Sequence, residues 1–334
     1  MTEVPAAIEL ARREFGIPAG VGQLLGGGAT ANILVRLSNS ARTRTWVLRC
    51  PLRDPRPARL RFLLAFQRAA RAKNVLVPLS WPTADGRPWA RDSDGRPWVL
   101  LTDLPGRPLT TVTALLAEQA GAQLAALHRL PRKLGNVPAV GPDSLWHAWV
   151  THPNATWRTV AEVLGDDHRL LNPYRLYVGL LDRYAEPLHG LSSASTAWTH
   201  GDFHGHNILH NRRGITGLID LDGIGRRPRI WDLATAVLML ARTGSGDYRL
   251  QPHLARAILS GYEQHTATPL TDIERAALWP SMLLSQLPDP HHLAALRTTE
   301  RPLTPALMRP LAALTALRHQ HTYLTRILTT ERTR

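Results

Sequence analysis

Short apolar stretches occupy the first hundred residues of the chain. Residues 33–37 alternate apolar and polar side chains, residues 46–50 form a second apolar stretch, and a polar turn separates the two, which predicts a hairpin. The sequence DGRPW occurs at 85–89 and again at 94–98, and each Asp-Gly pair is typical of a turn. The second copy leads into the apolar run 98–101. We therefore expect an antiparallel sheet in this part of the chain.

The rest of the chain has apolar residues mainly at helical spacing. Residues 58–74 predict a basic amphipathic helix that ends at Asn74. Further helices are predicted at 112–130, 174–188 and over most of 233–329, with Pro-containing joins near 268, 288 and 302. A short strand pair, 208–209 and 215–221, interrupts the helical pattern. The expected fold class is α+β, with a small antiparallel β-sheet lobe at 1–103 and a large, mainly helical lobe at 104–334.

Composition agrees with this two-lobed organisation and indicates the cellular compartment. The 334 residues are 44% hydrophobic and 20% charged, and they favour two domains or two lobes. No apolar run is long enough to cross a bilayer, so we expect no membrane partner. Charged residues interrupt the N-terminus where a secretory signal needs an apolar core. A single cysteine, Cys50, cannot form an internal disulfide, and we expect a cytoplasmic protein.

The formal net charge is +14, and most of the surplus is local. Residues 36–73 contain eleven basic residues and one acidic residue, Asp54. Such a segment attracts anions, whether nucleotide phosphates, an acidic peptide or nucleic acid, or else forms a solvated arginine-rich face. Because no RNA-recognition, zinc-finger or helix-turn-helix signature accompanies it, we do not expect a nucleic-acid partner. An acidic peptide at this basic lobe stays open.

The segment HGDFHGHNIL, residues 200–209, concentrates the candidate chemistry. Its histidines suggest a metal cage, whereas Asp202 and Asn207 have the interval of the Asp and Asn in a kinase catalytic loop. A strand then leads to IDLDG, where Asp220 occupies the position of a magnesium-binding aspartate. Phosphoryl transfer needs a carboxylate to accept a hydroxyl proton and oxygen ligands for Mg²⁺. Asp202 suits the first role, and Asn207 and Asp220 suit the second.

Three segments, THGDFHGHNIL, GLIDLDG and WDLATAV, resemble the signatures of the aminoglycoside phosphotransferase and choline kinase-like family. The resemblance extends over about residues 20–240 and implies a protein-kinase-like fold. It also implies roles for further residues. The nucleotide site would include the glycine loop and the cationic strand position, followed by the hinge: Gly26, Gly27, Gly28, Arg49, Thr102 and Leu104. Near the catalytic loop, Asp232 would brace the backbone, His200 would be structural, and His204 and Asp222 are secondary candidates.

Two positions depart from the family pattern. Arg49 replaces the usual phosphate-anchoring lysine, and its forked, permanently charged guanidinium still suits a phosphate. The following helix has no acidic residue to pair with this cation, since none occurs between Asp54 and Asp85, and it offers Gln67 instead. Three explanations stay open: another residue holds Arg49, the nucleotide site is weakened, or an acidic partner completes it.

These features predict an ATP- or GTP-dependent phosphotransferase that uses Mg²⁺. Its acceptor is a hydroxyl of a small molecule, such as an antibiotic or metabolite, or of a Ser or Thr in an acidic peptide. The positive net charge argues against a strongly cationic acceptor. One alternative is a catalytically impaired kinase-like protein that binds an acidic partner. Another is a zinc-dependent hydrolase built on His200, His204 and His206.

Overall fold

The computed structural model describes residues 3–25, 32–51, 56–134, 144–191, 196–244, 246–288, 293 and 303–324. The chain divides into two compact units. The first contains Met1–Arg107, Lys133–Ala139 and Leu209–Asp222, and the second contains Pro108–Arg132, Val140–Ile208 and Gly223–Arg334. The first unit thus includes residues 209–222, which the sequence prediction placed in the larger lobe. No helix in the described part of the chain combines the length and apolarity needed to cross a bilayer.

An antiparallel sheet forms the centre of the first unit. Its strands are β1 (Val21–Leu24), β2 (Asn32–Ser38), β3 (Thr45–Pro51), β4 (Ser80–Trp81), β5 (Ala90–Arg91) and β6 (Pro97–Thr102). They pair in the order β1-β2-β3-β6-β4, and β5 pairs with β6. Arg49 of β3 lies between Leu34 of β2 and Val99 of β6. The predicted strands at 33–37, 46–50 and 98–101 are therefore confirmed.

Two helices cover the sheet, and each contacts a different set of strand residues. Helix α1 (Glu3–Phe15), which the sequence analysis did not predict, packs with Leu48 and Leu100 in one apolar cluster. Helix α2 (Pro57–Arg71) contributes Leu60 and Leu64 to a second cluster with Val99 and Leu101. Successive residues of a strand point to opposite faces, so Arg49, next to Leu48, lies on the face that α2 covers.

A further set of strands leads to the IDLDG segment. Strands β7 (Arg107–Pro108), β9 (Ile208–Asn211) and β10 (Gly214–Leu218) form a three-stranded sheet in the order β10-β9-β7. The sequence predicted that the last strand continues to residue 221, and this is wrong. The strand ends at Leu218, Asp220 has a left-handed backbone with φ of 57°, and Leu221–Gly223 form a 3₁₀ turn. Asp220 and Asp222 therefore do not share a strand face.

The second unit consists mainly of helices. They are α3 (Ala114–His128), α4 (Ser144–Thr151), α5 (Pro153–Leu164), α6 (His168–Asp182), α7 (Ala185–Gly190), α8 (Arg229–Leu240), α9 (Pro252–His265), α10 (Asp272–Leu284) and α11 (Leu303–His319). Two strand pairs accompany them: β8 (Thr196–Thr199) with β11 (Gly225–Pro228), and β12 (Arg242–Gly244) with β13 (Asp247–Leu250). The β12–β13 pair corrects the prediction of continuous helix after residue 233.

The helix predicted at 174–188 differs from the observed one at both ends. Helix α6 begins at His168, where Asp167 caps it by accepting a hydrogen bond from the backbone N–H of Arg169. The helix continues through Pro173 and ends at Asp182. Proline removes one backbone hydrogen bond and is normally read as a helix boundary, which explains the error. The predicted α+β class, with an antiparallel sheet and a mainly helical part, is confirmed.

Candidate active site

The HGDFHGHN loop of the second unit passes very close to neighbouring backbone. It begins where β8 ends, at fully buried His200, and it ends in the 3₁₀ turn Gly205–Asn207. Gly201 has φ of 81°, and a Cβ there would lie 2.4 Å from the carbonyl oxygen of Gly223. A Cβ on Gly205 would lie 2.1 Å from the carbonyl oxygen of Leu109. Only glycine fits at both positions, so the two glycines of the motif fix the path of the loop.

Asp232 ties the start of this loop to helix α8. Its carboxylate is fully buried and accepts hydrogen bonds from the backbone N–H groups of His200 and Gly201, the latter at 2.9 Å. Nε2 of His128 lies 3.4 Å from the same carboxylate, and Nδ1 of His128 lies 2.9 Å from the Tyr262 hydroxyl. Burial by itself would raise the pKa of Asp232, but these donors hold it below its ordinary value. The carboxylate therefore stays ionised.

Asp202 presents an ionised carboxylate at the tip of the loop. Nδ2 of Asn207 donates to Oδ2 of Asp202 at 3.2 Å, and Nε2 of His204 lies 3.3 Å from the same oxygen. Partial burial alone would raise the pKa of Asp202, but its interactions with His204, His200 and Asn207 keep that pKa below its ordinary value. The side chain is 55% exposed. The carboxylate is thus both charged and accessible to a ligand.

The orientation of Asn207 follows from the same contacts. Its side chain is buried, and its amide nitrogen donates to the backbone carbonyl of Asp202 at 3.0 Å as well as to the carboxylate. Because the amide nitrogen faces Asp202, the carbonyl oxygen is the end of this side chain that remains to bind a cation. Mg²⁺ prefers oxygen donors of this kind.

Arg49, in the first unit, is held by the IDLDG segment. Its guanidinium forms an ion pair with the carboxylate of Asp222, lies 3.9 Å from Oδ1 of Asp220, and donates through Nε to Oδ1 of Asn32 at 2.9 Å. Nδ2 of Asn32 lies 3.4 Å from the Asp222 carboxylate, and Arg59 donates to the backbone carbonyl of Asp222. Of the three explanations for the missing helix glutamate, the structure therefore supports another residue holding Arg49.

Asp220 has the features of a ligand-binding carboxylate. Its side chain is 43% exposed, and its left-handed backbone is a conformation that residues other than glycine adopt at some cost. Such strained positions often coincide with functional sites. A carboxylate is an oxygen donor of the kind that Mg²⁺ prefers.

The histidines of the loop are not arranged as a zinc site. Within the part of the chain that the structure describes, no group of three or more His, Cys, Asp or Glu side chains is placed to hold a metal ion. The His200 ring is buried edge-on against Phe203, with 5.8 Å between ring centroids. His204 faces Asp202. The positions of these rings argue against the zinc-hydrolase hypothesis.

Of the remaining predicted nucleotide-binding residues, Thr102 and Leu104 have structural contacts of their own. Gly26, Gly27 and Gly28 lie outside the described residues. Thr102 pairs with Leu79 through both its backbone N–H, at 2.8 Å, and its hydroxyl, which accepts from the Leu79 N–H at 2.9 Å. Leu104 is buried beside Gly217. The nucleotide-binding role of these residues stays a prediction.

Sequence reasoning missed two residues that organise the site. Asn32 bridges Arg49 and Asp222, and its only sequence signal is a polar residue at the start of an otherwise alternating strand. His128 supports Asp232 from the last turn of α3. A histidine near a helix C-terminus is a common feature, and nothing local distinguishes this one.

Two comparisons of sequence relate the chain to known proteins. The sequence model of the APH phosphotransferase enzyme family matches residues 21–282. Homoserine kinase of Zymomonas mobilis is 27% identical over 243 residues, which cover 70% of this chain and 69% of that protein.

Two solved structures are similar in fold. A microcompartment-associated aminopropanol kinase superposes with a TM-score of 0.69 at 20% identity, covering 96% of this chain and 98% of its own. An amicoumacin kinase in complex with AMP-PNP, Ca²⁺ and Ami superposes with a TM-score of 0.64 at 15% identity, covering 98% of this chain and 95% of its own. The predicted family and the predicted class of enzyme, a kinase that phosphorylates hydroxyl groups, are confirmed. The chain belongs to the phosphotransferase enzyme family.

Proposed function

We propose that this protein transfers the γ-phosphoryl group of ATP to a hydroxyl of a small molecule, with Asp202 as the general base. The observation that carries the proposal is the ionised, accessible carboxylate of Asp202, which His204 and Asn207 orient in a loop anchored by Asp232. ATP is favoured over GTP as the donor because a structural neighbour of the chain was solved with AMP-PNP, an ATP analogue.

Each residue contributes a separate part of the reaction. Asp202 accepts the proton of the acceptor hydroxyl as the hydroxyl oxygen attacks the γ-phosphorus, the bond to the bridging oxygen breaks and ADP leaves. Asn207 and Asp220 are the proposed ligands of Mg²⁺, which when bound would neutralise charge on the phosphate oxygens. Arg49 supplies a cation for the phosphates, and its forked guanidinium donates to two oxygens at once. The transferred group needs little covalent chemistry from the protein, so positioning and charge dominate.

The acceptor is a small alcohol that is not strongly cationic. A chain with net charge +14 disfavours the approach of a polycation over long distances. An acidic peptide with a Ser or Thr hydroxyl is a second acceptor class, supported by the basic segment 36–73. We place the reaction in the cytoplasm, since the single cysteine, Cys50, is buried and has no second cysteine to bridge.

The direct test measures phosphate transfer by the purified protein from labelled ATP or GTP to a panel of antibiotics, amino alcohols and acidic peptides. With an acceptor in hand, Asp202→Asn should lower kcat by roughly 10² to 10⁴, the usual range for loss of a general base. Nucleotide affinity should change little. Asp166→Asn, which removes an exposed carboxylate of the same unit, is the matched control.

Two outcomes would contradict the proposal. Near-normal turnover of Asp202→Asn would remove the assigned base. Binding of nucleotide without transfer to any acceptor, together with tight binding of an acidic peptide, would favour the catalytically impaired binding protein instead. Steep weakening of that peptide binding by salt would show that charge dominates it, as binding to the basic segment requires.

A further inference from the structure

Arg49 needs an acidic partner because it is nearly buried. Its side chain is 11% exposed, and a guanidinium removed from water is costly unless charged and polar groups surround it. Helix α2 covers the face of the sheet on which Arg49 lies, yet α2 has no acidic residue. In the described structure the charge partner of Arg49 lies far beyond α2 in sequence, 173 residues after Arg49, at Asp222.

Gln67 marks where the absent carboxylate would lie. It belongs to α2, is 4% exposed, and its Oε1 has no hydrogen-bond partner among the described residues. Gln67 and Arg49 line the same cavity, together with Leu60, Leu63 and Val99. The cavity measures about 20 Å³, enough for one water molecule. The buried side chain of Gln67 thus lines the same cavity as Arg49, whereas the guanidinium of Arg49 pairs with Asp222.

Asp222 is itself fixed on two sides. Arg59 donates to its backbone carbonyl, and Asn32 lies between its carboxylate and Nε of Arg49. The guanidinium is consequently held through Nε and Nη2 by a preorganised pair of acceptors. Fixing both nitrogens removes most of the rotational freedom of the fork, which lowers the cost of ordering it on a phosphate.

We propose that Asp222 is a positioning residue that replaces the missing helix glutamate as the acidic partner of Arg49. The inference rests on the proposed function, in which Arg49 binds the nucleotide phosphates. The two carboxylates of IDLDG then have different roles: Asp220 binds the metal ion, and Asp222 holds the guanidinium of Arg49. Asp222 therefore acts on phosphate affinity through Arg49 and has little influence on the requirement for Mg²⁺.

The test uses binding of ADP in the presence of a chelator, which reports on Arg49 without metal. Asp222→Asn should weaken metal-free ADP binding about tenfold in calorimetry, as expected when a charge-assisted hydrogen bond no longer holds the cation. In the Arg49→Ala background the same substitution should have no further effect. The Mg²⁺ concentration for half-maximal transfer should stay unchanged in Asp222→Asn and rise in Asp220→Asn.

A rescue variant separates positioning from a general structural role. Gln67→Glu places a carboxylate on α2, on the cavity it shares with Arg49. In the Asp222→Asn background it should restore most of the lost ADP affinity. Far-UV circular dichroism and the conservative Asp222→Glu variant, which should keep part of the affinity, control for misfolding.

A failure of this inference can be distinguished from a failure of the proposed function. If the wild-type protein binds ADP and Asp222→Asn binds it equally well, this inference is wrong and the proposed function stands. An increased Mg²⁺ requirement in Asp222→Asn would make Asp222 a metal ligand and would also overturn the inference. If the wild-type protein binds neither ADP nor GDP, the nucleotide role of Arg49 fails together with the proposed function.

Discussion

The backbone N–H of His206 lies 3.2 Å from Nδ1 of His204, which makes that ring nitrogen an acceptor. In the neutral ring the proton is then on Nε2, 3.3 Å from Oδ2 of Asp202. Nδ2 of Asn207 also lies 3.3 Å from Nε2, but two donors cannot bond to each other, so both donate to the carboxylate. A hydrogen bond between neighbouring residues thus sets the tautomer that supports the proposed base.

Removing His204 should therefore change the pH dependence of transfer. Asp202 works as a base only when ionised, so kcat/KM falls as the pH drops through its pKa. In the wild-type protein that pKa is below its ordinary value. In His204→Ala the Asp202 carboxylate loses one of the donors that oppose the effect of its partial burial. The pKa of Asp202 therefore rises, and the acid limb of the kcat/KM profile moves to higher pH.

Two variants control this measurement. His206→Ala removes an exposed ring and keeps the backbone donor, so its acid limb should match the wild type. His204→Gln retains an N–H donor and should shift the limb less than His204→Ala. An identical acid limb in His204→Ala and wild type would show that His204 does not tune Asp202.

Among the elements, helices α3 and α9 approach each other more closely than side chains would allow. A Cβ on Gly121 would lie 2.1 Å from the carbonyl oxygen of Ile258, and a Cβ on Gly261 would lie 2.0 Å from that of Glu118. Both contacts involve backbone, which cannot rotate away. The approach matters for the site because α3 carries His128, the support of Asp232.

Adding one methyl group at this crossing should destabilise the fold. Gly121→Ala and Gly261→Ala should each lower the free energy of unfolding by about 1–3 kcal/mol, the usual cost of overpacking. Gly179→Ala in α6 is the matched control, since nothing lies within 4 Å of its added Cβ. That variant should gain up to about 1 kcal/mol from helix propensity. Urea denaturation measures all three, and equal effects of the three substitutions would refute the close crossing.

The whole molecule carries a large excess of positive charge. The net charge is +14, and residues 36–73 hold most of the surplus. Several arginines pair locally with acids on the surface, such as Arg249 with Asp247 and Arg169 with Asp167. Exposed pairs of this kind contribute little, typically about 0–1 kcal/mol. Repulsion among unbalanced cations is therefore the larger electrostatic effect.

Salt should accordingly stabilise this protein. The melting temperature should rise with NaCl up to about 0.3 M, because the screening length shortens to roughly 10 Å at 0.1 M and becomes shorter still at higher salt. Replacing two exposed arginines of α2, Arg61→Gln and Arg68→Gln, should reduce this dependence. Differential scanning calorimetry measures both effects. A melting temperature that falls with salt would mean that ion pairs outweigh the repulsion.

Local pattern was sufficient for much of the architecture. The alternation at 33–37 and the apolar stretch at 46–50 predicted β2 and β3, and helical spacing at 58–74 predicted α2, because such patterns follow from the geometry of a strand and of a helix. The pattern failed at Pro173 and at residues 242–250, where neighbouring elements outweigh local preference. The roles of Asp202, Asn207 and Asp220 follow from spacing and stay predictions.

The sequence by itself determined that the chain has a phosphotransferase loop, an arginine in the lysine position and no acid on the following helix. Only the tertiary structure decided which residue balances that arginine. Arg49 and Asp222 are 173 positions apart, and no local period connects them. A buried charge must find a partner wherever the fold provides one, so its identity depends on long-range packing, whereas strands and helices depend on residues a few positions away.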